Sequence, residues 1–332
     1  MKAKQKYVVL GSNCFTGTHI VDRLLTSTDG EVFAFSRSSE KSDLYSPYQS
    51  HLRPGFKFMQ LNLATESDRL IKILDEIQPD YVINVAALSE VYQSNLTPNE
   101  YFDINTSAVV RLANALRTRK WLKRYVHISS AEIYGKCTDA IFEDAPLNPS
   151  TPYAVSKAAA DMYLLTIARN FGFPVTLIRS TNVYGKHQQL FKIIPRNIIY
   201  LKLGKVIELH GGGHAIKSFI HIRDVVDGVF RVLQHPNPDT IYHFSTSNSM
   251  SIADIVKMIC SKMNYNYETS ARVVGERLGQ DSRYWLDCSK AKRDLGWEPR
   301  VDFESGVNEM IEWVEKNGSR IQKEPLEYIH VV

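Results

Sequence analysis

Residues 7–17 read Tyr-Val-Val-Leu-Gly-Ser-Asn-Cys-Phe-Thr-Gly. A compact apolar run ends at Gly11, and after Gly17 the apolar residues of segment 18–25 recur at helical spacing. The pattern predicts a strand, a tight turn and the start of a helix. Backbone amides and the positive end of the helix dipole at such a turn bind a pyrophosphate. The sequence therefore predicts a dinucleotide-binding loop.

The loop departs from the usual glycine pattern at one position. A third glycine normally stands between the other two, where the chain approaches the phosphates closely, and here Cys14 occupies that place. We therefore expect the backbone at Cys14 to tolerate a Cβ atom. The alternative is an ordinary strand–helix turn around a buried free thiol.

Outward from this loop, strand-like apolar runs alternate with helical patterns. The predicted strands are 7–10, 31–35, 56–59, 81–85, 125–128 and 175–178, and the predicted helices are 17–26, 67–77, 99–119 and 152–170. Strands that are apolar on both faces and separated by helices are typical of a parallel sheet covered on both sides. The sequence predicts an α/β, doubly wound parallel Rossmann sheet that binds ligands at the carboxyl ends of its strands.

The pattern loosens after residue 180. Segment 222–234 has helical spacing and 241–244 reads as a strand, so the chain returns to the sheet at about 220–245. We predict a dinucleotide-binding domain over 1–180 with this returning segment. A smaller C-terminal substrate-binding lobe would comprise 181–219 and 246–332, with a further helix starting at a capping box at Ser251.

Two further stretches carry chemistry. Residues 129–135 read Ser-Ser-Ala-Glu-Ile-Tyr-Gly and end a predicted strand, and 153–157 read Tyr-Ala-Val-Ser-Lys on a predicted helix. The i,i+4 spacing places Tyr153 and Lys157 on one helix face, where the ammonium favours the phenolate. Tyr153 could then take a proton from a hydroxyl group near neutral pH, while Ser130 hydrogen-bonds the same oxygen. Together these residues predict a hydride-transfer site.

Composition narrows the class of protein. The 332 residues carry a formal charge of +4 without a basic block, which gives nucleic-acid binding little support. No apolar run is long enough for a membrane span, and no signal-peptide pattern is present. The four cysteines are far apart and show no metal-ligand spacing, so we expect free thiols, no metal and a cytoplasmic, soluble enzyme.

Beyond these residues, several ordered segments carry a family resemblance. The chain resembles the extended short-chain dehydrogenases/reductases that act on nucleotide sugars, in particular the nucleoside-diphosphate-sugar 4,6-dehydratases. The matching segments are 148–157, 179–185, 217–224, 277–284 and 295–299. The resemblance covers nearly the whole chain and implies a lyase that forms a 4-keto-6-deoxy sugar, with a homodimer as the assembly.

The resemblance implies roles for four catalytic residues. Tyr153 is the base, Lys157 lowers its pKa, Ser130 polarises the C4 oxygen, and Glu132 removes the C5 proton that a C4 ketone acidifies. In dTDP-glucose dehydratases an Asp precedes this Glu and protonates the leaving hydroxyl, whereas here Ala131 stands there, as a non-acidic residue does in GDP-mannose dehydratases. The acid stays unidentified. Alternatives are a 4-epimerase, a 5,6-dehydratase or a non-catalytic dinucleotide-binding sensor.

After the second predicted strand, NAD enzymes usually carry an acidic residue that accepts the ribose hydroxyls. This chain has Ser36 and Arg37, which resemble the NADP-using GDP-mannose dehydratases, so NADP is favoured and NAD stays open. The cofactor would stay tightly bound and be recycled, because the hydride returns to C6. The cofactor candidates are Gly11, Asn13, Cys14, Phe15, Thr16, Gly17, Ser36, Arg37, Asn62, Leu63, Ala86, Ala87, Tyr153 and Lys157.

The resemblance also places a nucleotide-sugar site. Its candidates are Ser89, Asn182, Lys192, Lys217 and Arg277. Cations and amides bind a diphosphate through charge-assisted hydrogen bonds, although Lys217 replaces the Arg of most relatives and so lacks bidentate geometry. Glu90 replaces the His of dTDP-glucose dehydratases, and sugar recognition is expected to differ there.

For the homodimer we predict an interface built from helices 99–119 and 152–170 and their symmetry mates. Apolar positions beyond the need of one sheet face would supply the contact: Val109, Leu112 and Leu116 on the first helix, and Ala158, Met162 and Leu165 on the second. The alternative is that these residues only cover the sheet of their own subunit.

Overall fold

A computed structural model describes residues 4–137, 139–247, 249–275 and 284–331. Its strands are β1 (Lys6–Leu10), β2 (Glu31–Ser36), β3 (Phe56–Gln60), β4 (Tyr81–Asn84), β5 (Arg124–Ile128), β6 (Val175–Ser180), β7 (Asn182–Tyr184), β8 (Ile207–His210), β9 (Ile216–His221), β10 (Ile241–Phe244), β11 (Ser249–Ser251) and β12 (Ala271–Val274). Seven of them form a parallel sheet in the order β10-β6-β5-β4-β1-β2-β3. The predicted doubly wound α/β fold is confirmed.

Helices cover this sheet and build the remainder of the chain. They are α1 (Phe15–Ser27), α2 (Ser67–Ile77), α3 (Val91–Leu96), α4 (Pro98–Phe102), α5 (Ala108–Leu116), α6 (Pro152–Phe171), α7 (Ile193–Lys202), α8 (Ile222–Gln234), α9 (Ile252–Lys262), α10 (Tyr267–Ser270), α11 (Ser289–Leu295), α12 (Phe303–Lys316) and α13 (Gly318–Ile321). Short 3-10 turns lie at Pro47–His51, Ala131–Tyr134 and Gly211–Gly213. None of these helices is both long and apolar enough to cross a bilayer.

The central sheet is buried on both faces, as alternation along β1 shows. Tyr7 and Val9 point into one apolar core, which α1 and α8 complete, while Val8 and Leu10 point into a second core beneath α2, α5 and α6. Parallel strands of this kind need apolar residues at every position. This burial explains the apolar runs by which β1 and β2 could be recognised, whereas the edge strand β3 is only partly buried.

One predicted helix, 99–119, is interrupted. The structure has α4, then a π-helical turn at Asp103–Ser107, then α5. The Ala108 amide accordingly donates to the Asp103 carbonyl, five residues back. The turn carries Asn105, whose amide Nδ2 donates to the Leu88 carbonyl (3.0 Å) and to Ser156 Oγ (3.0 Å), while its Oδ1 accepts from the Leu88 amide (2.9 Å). π turns often occur at functional sites, and this one holds the loop after β4.

The C-terminal part has its own apolar core, formed by α7, α9, α12 and the strands β8 and β9. Segments 222–234 and 241–244 adopt the predicted helix and strand, and β10 pairs with β6, so the chain does return to the sheet. Ser251 caps α9 by accepting from the Asp254 amide (3.0 Å), as predicted. The domain boundaries at residues 180 and 246 stay a prediction.

The apolar surface predicted for a dimer is only partly present. Val109, Leu112 and Leu116 are at most 1% exposed and lie in the core under the sheet, so their assignment to an interface is wrong. Ala158 is also buried, in a small cluster beside the Ala131 turn. Met162 on α6, in contrast, is 60% exposed. The assembly itself stays a prediction.

Candidate active site

Two glycines shape the loop between β1 and α1. Gly11 has φ of +84°, and a Cβ there would lie 2.6 Å from the Ala86 amide nitrogen. A Cβ on Gly17 would lie 2.2 Å from the Gly11 carbonyl oxygen. Neither position accommodates a side chain, so the loop is closely packed against the end of β4 and leaves the N-terminus of α1 open.

Cys14 accommodates its Cβ because its backbone is ordinary. Its φ of −78° and ψ of 160° are extended values that any residue adopts. The thiol caps α1 by accepting from the Gly17 amide (3.3 Å), and burial raises the pKa of this thiol. The backbone at Cys14 therefore accommodates a Cβ, as predicted, and the fit of a cofactor beside this side chain stays a prediction.

Asn13 ties the glycine loop to the loop after β2. Its Nδ2 donates to the Ser38 carbonyl (3.2 Å), the Ser38 hydroxyl (2.9 Å) and the Ser39 carbonyl (2.7 Å). Its Oδ1 is buried without a hydrogen-bond partner among the described residues. A buried acceptor of this kind needs a donor, and a ribose hydroxyl of a dinucleotide would supply one.

Two cations, Arg37 and Lys41, belong to the loop after β2 that Asn13 contacts, and only Arg37 was expected from the sequence. Burial lowers the pKa of both Arg37 and Lys41, and the charge of Arg37 lowers that of Lys41 further while Cys14 opposes the shift. Lys41 therefore lies near Cys14 and Arg37. The neighbouring Glu40 accepts instead from the Tyr48 hydroxyl (3.0 Å). The sequence signal that could have identified Lys41 is its position four residues after Arg37 in a serine-rich loop.

The other cofactor candidates lie along the carboxyl edge of the sheet. Ser36 is 9% exposed at the end of β2, and Leu63 is buried after β3. Asn62 closes a local turn, because its Oδ1 accepts from the Ala64 amide (3.0 Å). Phe15, Thr16 and Ala87 line a cavity at this edge of the sheet. The Ala86 amide donates to Asn84 Oδ1 (3.2 Å).

Tyr153 lies in the first turn of α6. Thr151 caps this helix by accepting from the Ala154 amide (3.2 Å), and Pro152 occupies its first position, so the sequence fixes where the helix begins. Burial raises the pKa of the Tyr153 phenol and the charge of Glu132 raises it further, while a hydrogen bond with Ser130 lowers it. The structure thus brings Tyr153, Ser130 and Glu132 together.

Lys157 follows one turn later and is 2% exposed. Its ammonium donates to the Ile128 carbonyl (2.7 Å) and contacts His127 Nε2 (3.2 Å). Burial lowers the pKa of Lys157 to about 8, against the charge of Asp161. Lys157 is not among the largest contributors to the pKa of Tyr153, so its effect on the phenol stays a prediction.

Ser130 and Glu132 are held by the turn after β5. The Ser130 hydroxyl caps the 3-10 turn by accepting from the Glu132 amide (3.2 Å). Behind it, the Ser129 hydroxyl donates to Asp161 (2.9 Å), which forms a buried salt bridge with Arg179 (3.0 Å). A buried ion pair costs desolvation but fixes geometry when its hydrogen bonds are made, so this pair orients the turn from below.

A cavity of about 480 Å³ lies over these residues. We call Ser130, Glu132, Tyr153 and Lys157 its catalytic wall, and Asn182, Lys192 and Lys217 its substrate wall. Ser89 also lines it. The structure thus brings the predicted catalytic and substrate residues to one space. Arg277 lies outside the described residues.

The substrate wall is held by contacts between distant segments. Lys192 precedes α7, and its ammonium pairs across the cavity with the carboxylate of Glu90. The side chains are 31% and 25% exposed, respectively. Lys217 lies 4.5 Å from the ring centroid of Tyr284, a cation–π contact. Asn182 Nδ2 donates weakly to the Ser218 carbonyl (3.4 Å).

The C-terminal tail contributes contacts that sequence patterns gave no sign of. Tyr328 packs edge-on against Phe191 on the cavity wall, with ring centroids 5.2 Å apart. His330 pairs with Glu100 at α4. The charge of Arg37 lowers the pKa of Tyr328, against burial, which raises it. The tail therefore joins the two halves of the molecule beside the cavity.

The described residues contain no group of three or more potential ligands for a metal ion. Within the same ranges Cys14, Cys137, Cys260 and Cys288 are free.

Residues 8–310 match the family model described as GDP-mannose 4,6 dehydratase. The chain belongs to this dehydratase family. It is 30% identical to the dTDP-D-glucose 4,6-dehydratase of Mus musculus over 325 residues, which cover 94% of this chain and 89% of the mouse protein. A trifunctional UDP-glucose 4,6-dehydratase, 3,5-epimerase and reductase of Arabidopsis thaliana is 29% identical over 93% of this chain. The chain spans about half, 47%, of that plant protein's length.

Solved structures of dehydratases have the same fold. The dTDP-glucose 4,6-dehydratase of Streptomyces venezuelae, solved with NAD bound, has a TM-score of 0.87 and 27% sequence identity, covering 97% of this chain and all of that one. A UDP-glucuronic acid 4-epimerase of Bacillus cereus has a TM-score of 0.84 but only 23% identity. That likeness shows the fold alone, so the dehydratase and the epimerase must be distinguished by site residues.

Proposed function

We propose that this protein converts a nucleoside-diphosphate hexose to the 4-keto-6-deoxy sugar by C4 oxidation, loss of water across C5 and C6, and hydride return to C6. The observation that carries the proposal is Glu132, a carboxylate that lines the same cavity as Tyr153 and is close enough to raise its pKa. Among the protein groups, the Ser, Tyr and Lys side chains suffice for oxidation at C4, in which a bound dinucleotide would accept the hydride. A carboxylate beside them supplies the base that elimination requires.

The dinucleotide loop fits the cofactor of such a reaction. Gly11 and Gly17 leave no room for side chains, the amides at the start of α1 face a pyrophosphate, and Asn13 Oδ1 offers a buried acceptor. When bound, a nicotinamide dinucleotide would take a hydride from C4 and give it back at C6, staying unchanged overall. Dehydratase structures similar to this one contain NAD.

Tyr153 and Ser130 act at the C4 oxygen. The Tyr153 phenolate takes the hydroxyl proton, and the Ser130 hydroxyl, already hydrogen-bonded to the phenol, donates to the developing carbonyl oxygen. The positive charge of Lys157 favours the phenolate. Glu132 then acts at the adjacent carbon, C5.

Glu132 takes the C5 proton once the C4 carbonyl has acidified it, and the C6 hydroxyl leaves as water. When the hydride returns to C6, Glu132 gives a proton back to C5. Ala131 cannot protonate that hydroxyl. The proton that Tyr153 has gained is available on the same wall, so Tyr153 directly, or through a water molecule, is the proposed acid. An epimerase would need no carboxylate here, which is why we place epimerisation second.

We infer NADP as the preferred cofactor from Arg37 and Lys41. Two cations in the loop that Asn13 contacts suit a 2′-phosphate, and Glu40, which lies between them in sequence, accepts from the Tyr48 hydroxyl. NAD stays the alternative, since it is the cofactor in the similar dehydratase structures.

For the assembly we propose a homodimer formed through α6. Val155 and Met162, seven residues apart on one face, are 38% and 60% exposed. We place the enzyme in the cytoplasm, where the cysteines Cys14, Cys137, Cys260 and Cys288 would stay reduced.

The test is a panel of UDP-, dTDP-, GDP- and CDP-hexoses incubated with purified protein. We expect one of them to lose water and to gain solvent deuterium at C5, as mass spectrometry would show. Inversion at C4 without loss of mass would instead establish the epimerase.

A further inference from the structure

His127 is a buried imidazole that the proposed mechanism does not use. It lies on β5, is fully buried, and its Nε2 is 3.2 Å from the ammonium nitrogen of Lys157. Its Nδ1 is 3.3 Å from Asn84 Nδ2 on the neighbouring strand β4. The ring therefore connects the catalytic lysine to an amide in the core of the sheet.

The amide orientation of Asn84 is fixed by a third group. Asn84 Oδ1 accepts from the Ala86 amide (3.2 Å), so Nδ2 must face the Tyr125 hydroxyl (3.0 Å) and His127 Nδ1. An amide nitrogen only donates. Nδ1 is then the acceptor of the neutral ring, and the ring proton is on Nε2.

This tautomer points an N–H at Lys157. A neutral lysine amine has a lone pair that accepts this hydrogen, whereas an ammonium has only hydrogens to present. The imidazole cannot avoid the conflict by taking up a second proton, because burial and the charge of Lys157 hold the pKa of His127 well below its usual value. The contact therefore favours the neutral form of Lys157.

The other titratable and charged groups around Lys157 come from α6, β5 and β6. Asp161, one turn further along α6, favours the ammonium, but its charge is shared with Arg179 on β6 and with Ser129 after β5. Tyr153 lies one turn earlier on α6. From β5 the ring of Tyr125 stacks 6.4 Å from His127. Burial lowers the pKa of Lys157 against the charge of Asp161.

We propose that Asn84 and His127 are positioning residues for Lys157: Asn84 selects the imidazole tautomer, and the imidazole decides over which pH range Lys157 carries its charge. This inference rests on the proposed roles of Tyr153 and Lys157. The pKa of Lys157 would then depend on residues of strands β4 and β5 as well as on its own helix α6.

The proposal predicts that Asn84→Asp reverses the tautomer of His127 relative to the wild type. In Asn84→Asp a carboxylate oxygen replaces the donor, so it accepts from Nδ1–H, and Nε2 becomes an acceptor for the Lys157 ammonium. In Asn84→Asp and in His127→Phe, Lys157 should keep its charge to a higher pH, by about one pH unit or more, which is a tenfold or larger change in its acid dissociation constant. Tyr125→Phe is the control, since it keeps the Asn84–His127–Lys157 line intact.

Nuclear magnetic resonance of the purified protein, labelled with ¹⁵N histidine and ¹³Cε lysine, reads both groups without substrate. We expect the Nε2–H tautomer in the wild type and in Tyr125→Phe, and Nδ1–H in Asn84→Asp. The lysine signal lost in Lys157→Met should titrate near pH 8 in the wild type and at higher pH in the two variants. An Nδ1–H wild type, or unchanged titration in folded His127→Phe, would refute the proposal.

The rate should follow the same titration. The rate of the wild type should fall as the pH rises through the pKa of Lys157, because the cation that favours the phenolate is lost, and this alkaline limb should move upward in both variants. A purely structural role would lower kcat at every pH and leave the limb in place. A protein that dehydrates no nucleotide sugar would contradict the proposed function, while the resonance titration would still decide the role of His127.

Discussion

The two walls of the cavity are built in different ways. On the catalytic wall, Tyr153 and Lys157 are at most 8% exposed and belong to one turn of α6. On the substrate wall, Lys192 is 31% exposed and its partner Glu90 comes from a loop 102 residues earlier. Helical geometry and burial fix the Tyr153–Lys157 pair of the first wall, whereas the Lys192–Glu90 pair of the second wall depends on a contact between distant segments.

This difference separates chemistry from recognition. Buried charges that are fully hydrogen-bonded are costly to disturb, whereas half-exposed ion pairs contribute little and rearrange readily. Variants of the catalytic wall should therefore change kcat, and variants of the substrate wall should change KM. A variant of the substrate wall that changed kcat, or a variant of the catalytic wall that changed only KM, would contradict this division.

The largest effect is expected for Glu132→Gln. The amide keeps the shape but cannot take the C5 proton, so kcat for dehydration should fall by about 10²–10⁴-fold. Deuterium exchange at C5 should vanish with it, while C4 oxidation, followed as reduced cofactor, should persist. Glu312→Gln, on an exposed position of α12, is the control. Near-native dehydration by the Glu132 variant would remove the main support for the proposed function.

A smaller effect is expected for the cofactor cations. Arg37→Ala and Lys41→Ala should each weaken NADP by about tenfold to a hundredfold, the value of one charged hydrogen bond, and should affect NAD much less. Fluorescence titration with both dinucleotides measures this, with Lys72→Ala on α2 as a control. Equal losses for the two cofactors would show that neither cation binds a 2′-phosphate.

A still smaller effect is expected for Glu90→Gln. Removing the carboxylate releases Lys192 for the diphosphate, and half-exposed pairs are worth about 0.2–1 kcal/mol, so KM should fall by about two- to fivefold with kcat unchanged. Lys192→Met should raise KM instead. If Glu90→Gln lowered kcat, Glu90 would act in the chemistry, and the division between the walls would fail.

The smallest effect on catalysis is expected for Met162→Glu. A charge on this exposed position of α6 should disrupt the proposed dimer and leave kcat within about twofold, because the side chain faces away from both walls. Light scattering reports the mass, and Val273→Glu, which is 70% exposed on β12, is the matched control. An unchanged mass would remove Met162 from the interface.

The sheet and the catalytic wall could be predicted because their signals are short in sequence. The loop around Gly11 and Gly17 and the Tyr153–Lys157 spacing each lie within one strand–turn–helix unit or one helical turn, where backbone geometry alone brings the residues together. Even the departure at Cys14 needed only an ordinary extended conformation.

The substrate wall could not be predicted in the same way. The Glu90–Lys192 pair and the position of Lys41 beside Cys14 depend on how loops from different strands meet. Val109 was assigned to an interface because helical spacing shows that a face is apolar but not what covers it. Long-range packing decides both questions, and no local pattern records it.

Because of the π turn between α4 and α5, the number of residues in this segment determines where Asn105 points. A helix advances by about 100° per residue, so deleting one residue from Asp103–Ser107 would restore regular α-helix and swing Asn105 away from Leu88. Such a chain would still fold over the sheet through Leu112 and Leu116. A one-residue deletion here would therefore move Asn105 even though every remaining residue kept its identity.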